Sequence, residues 1–246
     1  MHQGRVAIVT GGIRGIGWAI TESLASQGIH VAAGYSSNEE AALEAAERAR
    51  DAGWSVSVHR GNVGIPEDCA RVVEEVIAAH GHVDYLINNA GITVDRSVRK
   101  MTIEEWHAVL RVNLSGAFYM IKAVLGNMVD RGSGRIVNIA SVIGETGNIG
   151  QANYAASKAG MVGLTKTLAL ELARKGVTVN CVSPGFTETE MTSVIPEKIL
   201  ANIVDGIPLH RMATVAEVAH AVSFLLDDRS GYMTGVVLPV NGGMDM

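Results

Sequence analysis

Cysteine, aromatic residues, charge and long apolar runs are all scarce in this 246-residue chain. Two cysteines, Cys69 and Cys181, stand far apart, which excludes a disulfide scaffold. Charged residues make up only 18% against 48% hydrophobic, a balance that excludes an intrinsically disordered chain. The net charge of −5 carries no basic excess, which argues against nucleic acid as a partner. No apolar stretch runs to the roughly 18 residues of a membrane span before charge or glycine interrupts it, so no membrane partner is expected. No signal-peptide-like apolar segment follows Met1, and a soluble, cytoplasmic setting is the expectation. Glycine is the exception to this scarcity. There are 28, and each costs backbone entropy on folding, so their number calls for a reason.

Short apolar runs alternate with helical patterns along the whole chain. The runs at 6–9, 31–33, 55–59, 85–87, 135–139, 177–182 and 236–238 predict seven strands. Between them, helices are predicted at 16–27 and 38–52, stopped by Gly28 and Gly53. Cys69, Val72, Val73, Val76 and Ile77 recur at helical spacing. Thr102 with Glu105 forms a capping box that opens a helix reaching about residue 129, and 154–174 reads as a second long helix. Thr214 with Glu217 is another capping box, before a helix ending near 226. Nearly all-apolar strands alternating with helices predict an α/β fold: one doubly wound Rossmann domain over 1–246, with a seven-stranded parallel sheet and helices on both faces. The segment 187–208 fits this alternation least well and reads as a lid over a substrate pocket.

The first strand feeds a helix through Thr10-Gly11-Gly12-Ile13-Arg14-Gly15-Ile16-Gly17. Gly11 suits a tight turn, Gly15 a close approach of pyrophosphate, and Gly17 close helix packing on the sheet. A helix N-terminus presents free N–H groups and partial positive charge to phosphate. No Lys-Ser or Lys-Thr follows, so a Walker loop is excluded. The second strand ends in Gly34-Tyr35-Ser36-Ser37-Asn38, without the carboxylate that holds a ribose 2′-hydroxyl in NAD sites. Arg14 is a charge-assisted partner for a 2′-phosphate. With Tyr35 and Ser36, it favours NADP(H) over NAD.

Tyr154 and Lys158 lie four residues apart, on one helix face. Ser141 follows the strand at 135–139, and strand carboxyl ends are where open α/β sheets build their sites. A phenol with a pKa near 10 is a poor acid–base group at neutral pH. A nearby ammonium and an oxidised nicotinamide would both favour the phenolate and lower that value. The eight histidines form no helix-spaced ligand pair, so no metal is expected.

Together with Asn88-Asn89-Ala90-Gly91, Asn113 and Pro184-Gly185, these elements resemble the short-chain dehydrogenase/reductase family over essentially the whole chain. Within that family the closest likeness is to β-ketoacyl-acyl-carrier-protein reductases and bacterial acetoacetyl-CoA reductases. It rests on the stretches Gly91-Ile92-Thr93-Val94-Asp95, Gly150-Gln151-Ala152-Asn153-Tyr154, Gly185-Phe186-Thr187-Glu188-Thr189-Glu190-Met191 and Asn241-Gly242-Gly243-Met244. The resemblance implies reduction of a ketone by hydride from NADPH. Tyr154 would give the proton, Ser141 would polarise the oxygen, and Lys158 would hold the nicotinamide ribose and lower the Tyr154 pKa. Asn113 would hold a water of a proton relay. Ile13, Ile16, Asn62, Val63, Asn89, Ala90, Gly91, Pro184, Gly185 and Thr187 would join the cofactor set, and Asn148, Gln151 and Phe186 the substrate set. It also implies a homotetramer and an acyl thioester substrate on carrier protein or CoA. Arg131 and Lys175 are candidates to dock that carrier, or else cations favoured at helix C-termini.

Departures from the family pattern are Asn62 for a common Asp, Trp18 with no evident consequence, Thr187 for an aliphatic residue, and Ala213 and Val215 for Gly and Pro. Two alternatives stand beside the reductase. A nucleotide-sensing regulator should have lost Tyr154 or Lys158. An NAD-dependent sugar or sterol dehydrogenase should carry an acidic residue after the second strand.

Overall fold

The seven apolar runs all become strands of one parallel sheet. A computed structural model describes residues 4–193 and 195–246, so the chain start at residues 1–3 lies outside the described residues. The strands are β1 (Val6–Val9), β2 (His30–Tyr35), β3 (Val56–Arg60), β4 (Tyr85–Asn88), β5 (Gly134–Ile139), β6 (Val177–Pro184) and β7 (Val237–Val240), in the order β3-β2-β1-β4-β5-β6-β7. Chain order reverses between β1 and β4, and the crevice at their carboxyl ends is where such sheets bind ligands.

Strand alternation builds two cores. Ala7, Val9, Val31, Ile87 and Val137 face α1 (Gly15–Ala25) and α10 (Val215–Leu226). Val6, Ile8, Ala32, Leu86 and Ile136 face α3 (Pro66–His80), α5 (Gly116–Arg131) and α7 (Ala152–Leu172). Successive residues point to opposite faces, so a strand buried on both sides needs apolar residues throughout. Trp18, to which the sequence assigns no consequence, packs with Ala42, Ala45 and Ala49 of α2 (Glu39–Asp51), and its ring lies under the Arg48 guanidinium at 4.4 Å.

Thr102 and Glu105 form the expected capping box, with Glu105 N–H donating to Thr102 at 3.2 Å and Thr102 N–H to Glu105 at 3.0 Å. The sequence predicts one continuous helix after it, and the structure instead divides that helix into three parts. α4 (Ile103–Leu110) passes through a π-helical turn (Arg111–Ser115) into α5. Taken as one helix, Ile103–Arg131 is long and apolar enough to cross a membrane, against the expectation that no segment would be. Here its Met120, Ile121, Val124 and Met128 pack on the sheet. The segment read as a lid contains α8 (Glu190–Ser193) and α9 (Glu197–Asp205), and Val194 lies outside the described residues.

A polar chain ties β2, β3 and α3 together. Glu75 accepts from His59 Nδ1 at 3.0 Å, which fixes His59 Nε2 as the acceptor from Ser57, 2.9 Å away. Ser57 Oγ then accepts from His30 Nε2 at 3.1 Å, and His30 Nδ1 accepts from Ser55 at 2.8 Å. His80 stacks on His30 at 3.9 Å between ring centres. Burial, with His80 and His59 close by, depresses the His30 pKa from 6.5 to about 4. The unfolded chain therefore takes up this proton first. Stability present above about pH 6.5 should fall by about 1 kcal/mol as the pH drops to about 4, solvent screening of this half-exposed ring taking up the rest of the shift. Urea unfolding between pH 7 and 4 checks this: His30→Gln should flatten the slope, and an unchanged slope would contradict the assignment.

Candidate active site

The glycine turn after β1 is braced from β4. Thr10 Oγ accepts from Asn89 N–H and Ala90 N–H, both at 3.0 Å, while Asn89 Nδ2 donates to the carbonyls of Thr10 (2.9 Å) and Gly11 (3.2 Å). Asn89 and Ala90 thus hold the turn's shape, and Thr10, given no role by the sequence, is the pin. Gly11 and Gly15 have φ of +63° and +52°, which side chains disfavour. The third glycine differs from expectation. A Cβ on Gly17 would sit 2.0 Å from the Gly11 carbonyl oxygen and 2.6 Å from Asn89 Nδ2, so Gly17 lets the helix start pack on the turn. Gly12 makes the close approach to the sheet, where an added Cβ would lie 3.1 Å from Ala33 Cα.

No side chain caps α1: Arg14 is extended and bonds none of the first-turn N–H groups, which suits an anion there. The Ile13 side chain is buried against α2 and Ile16 packs beside α10, leaving their backbone to face the turn. Arg14 reaches toward the lid, pairing with Glu190 at 3.1 Å. Tyr35 pairs in register with Arg60, Ser36 follows it, and Asn62 closes a turn by accepting from Gly64 N–H at 2.9 Å. Val63 packs against Gly116, at the start of α5.

Around the reacting end, Tyr154 and Lys158 both lie in the first turns of α7, with Lys158 Nζ 5.5 Å from the Tyr154 ring centre. Lys158 is buried and donates to the Ile139 carbonyl at 2.7 Å. Burial pulls its pKa from 10.5 to about 8. On the Tyr154 phenol, desolvation works against the influence expected of the ammonium. Burial raises its pKa and the Asp95 carboxylate adds to that, while a hydrogen bond with Ser141 opposes them. Desolvation outweighs the neighbouring donor here, so the phenol keeps its proton. Ser141 lies two residues beyond β5 and accepts from Ile143 N–H at 3.2 Å.

Asn113 is fully buried within the π-helical turn. Its Oδ1 accepts from Ile92 N–H at 2.8 Å, and its Nδ2 donates to Ile92 O at 3.0 Å and Ser157 Oγ at 3.2 Å. Ser157 in turn donates to the Tyr154 carbonyl at 2.7 Å. The Asn113 side chain thus fastens the loop after β4 to α7. Gly91 lies over both Asn113 and Lys158.

Gln151 Nε2 donates to both oxygens of Asp95, at 3.1 and 3.0 Å, and Gln151 Oε1 accepts from Asn148 Nδ2 at 2.9 Å. Asp95, quoted in the sequence only as part of a stretch, is the charge that organises this rim. Across the site, Pro184 ends β6. Phe186 and Glu188 exchange backbone hydrogen bonds with Ala213, both at 2.9 Å. Thr187 is buried and its carbonyl accepts from Thr192 at 2.9 Å. Gly185 leaves room for Asn241, whose Cα would lie 2.9 Å from an added Cβ. Its glycine is thus explained by that contact. Arg131 is held by Asp84 at 2.9 Å and the Val83 carbonyl at 3.2 Å.

Comparison with known proteins places these features in context. Residues 11–245 match the family model described as enoyl-(acyl carrier protein) reductase. The chain is similar to an acetoacetyl-CoA reductase of Allochromatium vinosum, 48% identical over 98% of this chain and 99% of that protein. A second acetoacetyl-CoA reductase, from Shinella zoogloeoides, is 46% identical over 97% of this chain and 98% of its own. The 3-oxoacyl-(acyl-carrier-protein) reductase of Escherichia coli is 44% identical over 99% of this chain and 98% of its own.

Proposed function

The chain belongs to the short-chain dehydrogenase/reductase family, and on that premise we propose that it is an NADPH-dependent reductase of 3-ketoacyl thioesters. The carrying observation is the pairing of Tyr154 with buried Lys158 on the first turns of α7, with Nζ 5.5 Å from the Tyr154 ring centre. The relatives named above act by name on acetoacetyl-CoA or 3-oxoacyl-carrier-protein, and both substrates present a ketone two carbons from a thioester.

The residues fit a dinucleotide. The uncapped start of α1 and the braced turn at Gly11 and Gly15 offer N–H groups to a pyrophosphate. Gly91 and Lys158 leave space and donors where a nicotinamide ribose would lie. NADPH, when bound, supplies the hydride. Tyr154 then gives its proton to the ketone oxygen, and Ser141 holds that oxygen by a hydrogen bond that strengthens as negative charge develops. Lys158 steadies the phenolate left behind by its charge. The Asp95–Gln151–Asn148 rim and Phe186 border the acyl end, and α8 and α9 form the lid. The same reading takes the protein as a cytoplasmic homotetramer, in which a second copy would cover exposed Phe118 of α5 and Leu170 of α7.

The carrier is decided by comparing kcat/KM for acetoacetyl-CoA and acetoacetyl-carrier-protein, each with NADPH and NADH. Turnover of at least one with NADPH preferred is expected. Failure with both thioesters would overturn the reading.

A further inference from the structure

The helix that carries Tyr154 begins without the usual cap. Gln151 stands at the N-cap of α7, yet its side chain bonds none of the first-turn N–H groups and reaches to Asp95 instead. The first N–H groups of a helix have no intrahelical partner and must be met from elsewhere. For Tyr154 the partner is the residue before it: Asn153 Oδ1 accepts from the Tyr154 N–H at 2.8 Å. Asn153 is fully buried, and no step of the mechanism above uses it.

Its amide nitrogen faces the opposite way. Nδ2 donates to the Val94 carbonyl at 3.1 Å and to the Glu105 carbonyl at 3.4 Å. One side chain thus joins three segments: the first turn of α7, the loop after β4, and α4. With oxygen and nitrogen both engaged inside the protein its orientation is fixed, and truncation would leave the Tyr154 N–H and the Val94 carbonyl without this partner. Neighbouring bonds grip the same loop. Ile92 is held by Asn113, Asp95 by Gln151, and Arg96 N–H donates to the Gly150 carbonyl at 2.8 Å. Asn153 supplies the bond at Val94 and carries it directly to the Tyr154 backbone. In the mechanism proposed above Tyr154 meets the ketone and the Asp95–Gln151 rim borders the acyl end, so the spacing between them decides whether the reacting atoms are aligned.

We infer that Asn153 is a positioning residue, which sets the Tyr154 phenol in register with the Asp95–Gln151 rim and acts on the reaction through Tyr154. The inference rests on the reductase reading, and the test separates the two. NADPH-dependent reduction of acetoacetyl-CoA and acetoacetyl-carrier-protein is measured for wild type, Asn153→Ala, Asn153→Ser, Tyr154→Phe and the double variants, with cofactor affinity from fluorescence titration. Asn153→Ala should lower kcat about 30-fold, with KM within about threefold and NADPH affinity within about twofold of wild type. Asn153→Ser keeps an oxygen for the Tyr154 N–H and should lose about fivefold, and it stands in for the alanine variant if that chain does not fold. In the Tyr154→Phe background neither substitution should lower the residual rate more than about twofold, because no phenol is left to position. Equal losses in both backgrounds mark a merely structural residue and would overturn the inference, as would a kcat for Asn153→Ala within about twofold of wild type; either leaves the reductase reading standing. No turnover of either thioester by wild type would overturn both.

Discussion

Tyr154→Phe is expected to lower kcat by about 10³-fold for ketone reduction while leaving cofactor affinity within about twofold. The substitution removes one oxygen and leaves the ring beside Lys158. Two contributions vanish together: the proton that the ketone oxygen must receive, and half of the donor pair facing the developing oxyanion. Ser141→Ala removes the other half, and the two losses should not add, because both donors serve one oxygen. Steady-state rates with NADPH fluorescence titration separate the chemical step from binding. A mutant within tenfold of wild type would remove Tyr154 from the mechanism.

Gly17→Ala should abolish cofactor binding and cost about 3 kcal/mol of stability. The new methyl would lie 2.0 Å from a backbone oxygen of the same turn, and no rotamer relieves a Cβ clash. Either α1 or the Gly11 peptide must move, and the Asn89 side chain that braces the turn, 2.6 Å from the same methyl position, must leave with it. Urea unfolding and cofactor titration on the purified variant measure both effects. Normal NADPH affinity would show that the turn is not the phosphate cradle.

The architecture was legible because strand and helix periods are written in the order of apolar residues. Val6–Val9 and its counterparts fall at regular intervals, and both capping boxes formed as spelled out. Tyr154 and Lys158 were legible for the same local reason, since four residues on a helix fix a shared face. Tertiary facts were not. Nothing in the order of residues 103–131 signals the π-helical turn that seats Asn113 under Gly91, because it depends on bonds to Ile92 and Ser157 from other segments. The desolvation that pushes the Tyr154 pKa up was not legible, since spacing shows the ammonium but not how the ring is enclosed.

The central claim is that the site reduces a ketone on an acyl thioester. NADPH consumption by wild-type protein, measured with acetoacetyl-CoA and with crotonyl-CoA under the same conditions, tests it most directly, because the second offers a carbon–carbon double bond and no ketone. Rapid, Tyr154-dependent oxidation with acetoacetyl-CoA, giving 3-hydroxybutyryl-CoA, and none with crotonyl-CoA is the expected result. Reduction of crotonyl-CoA with acetoacetyl-CoA left untouched would contradict the account.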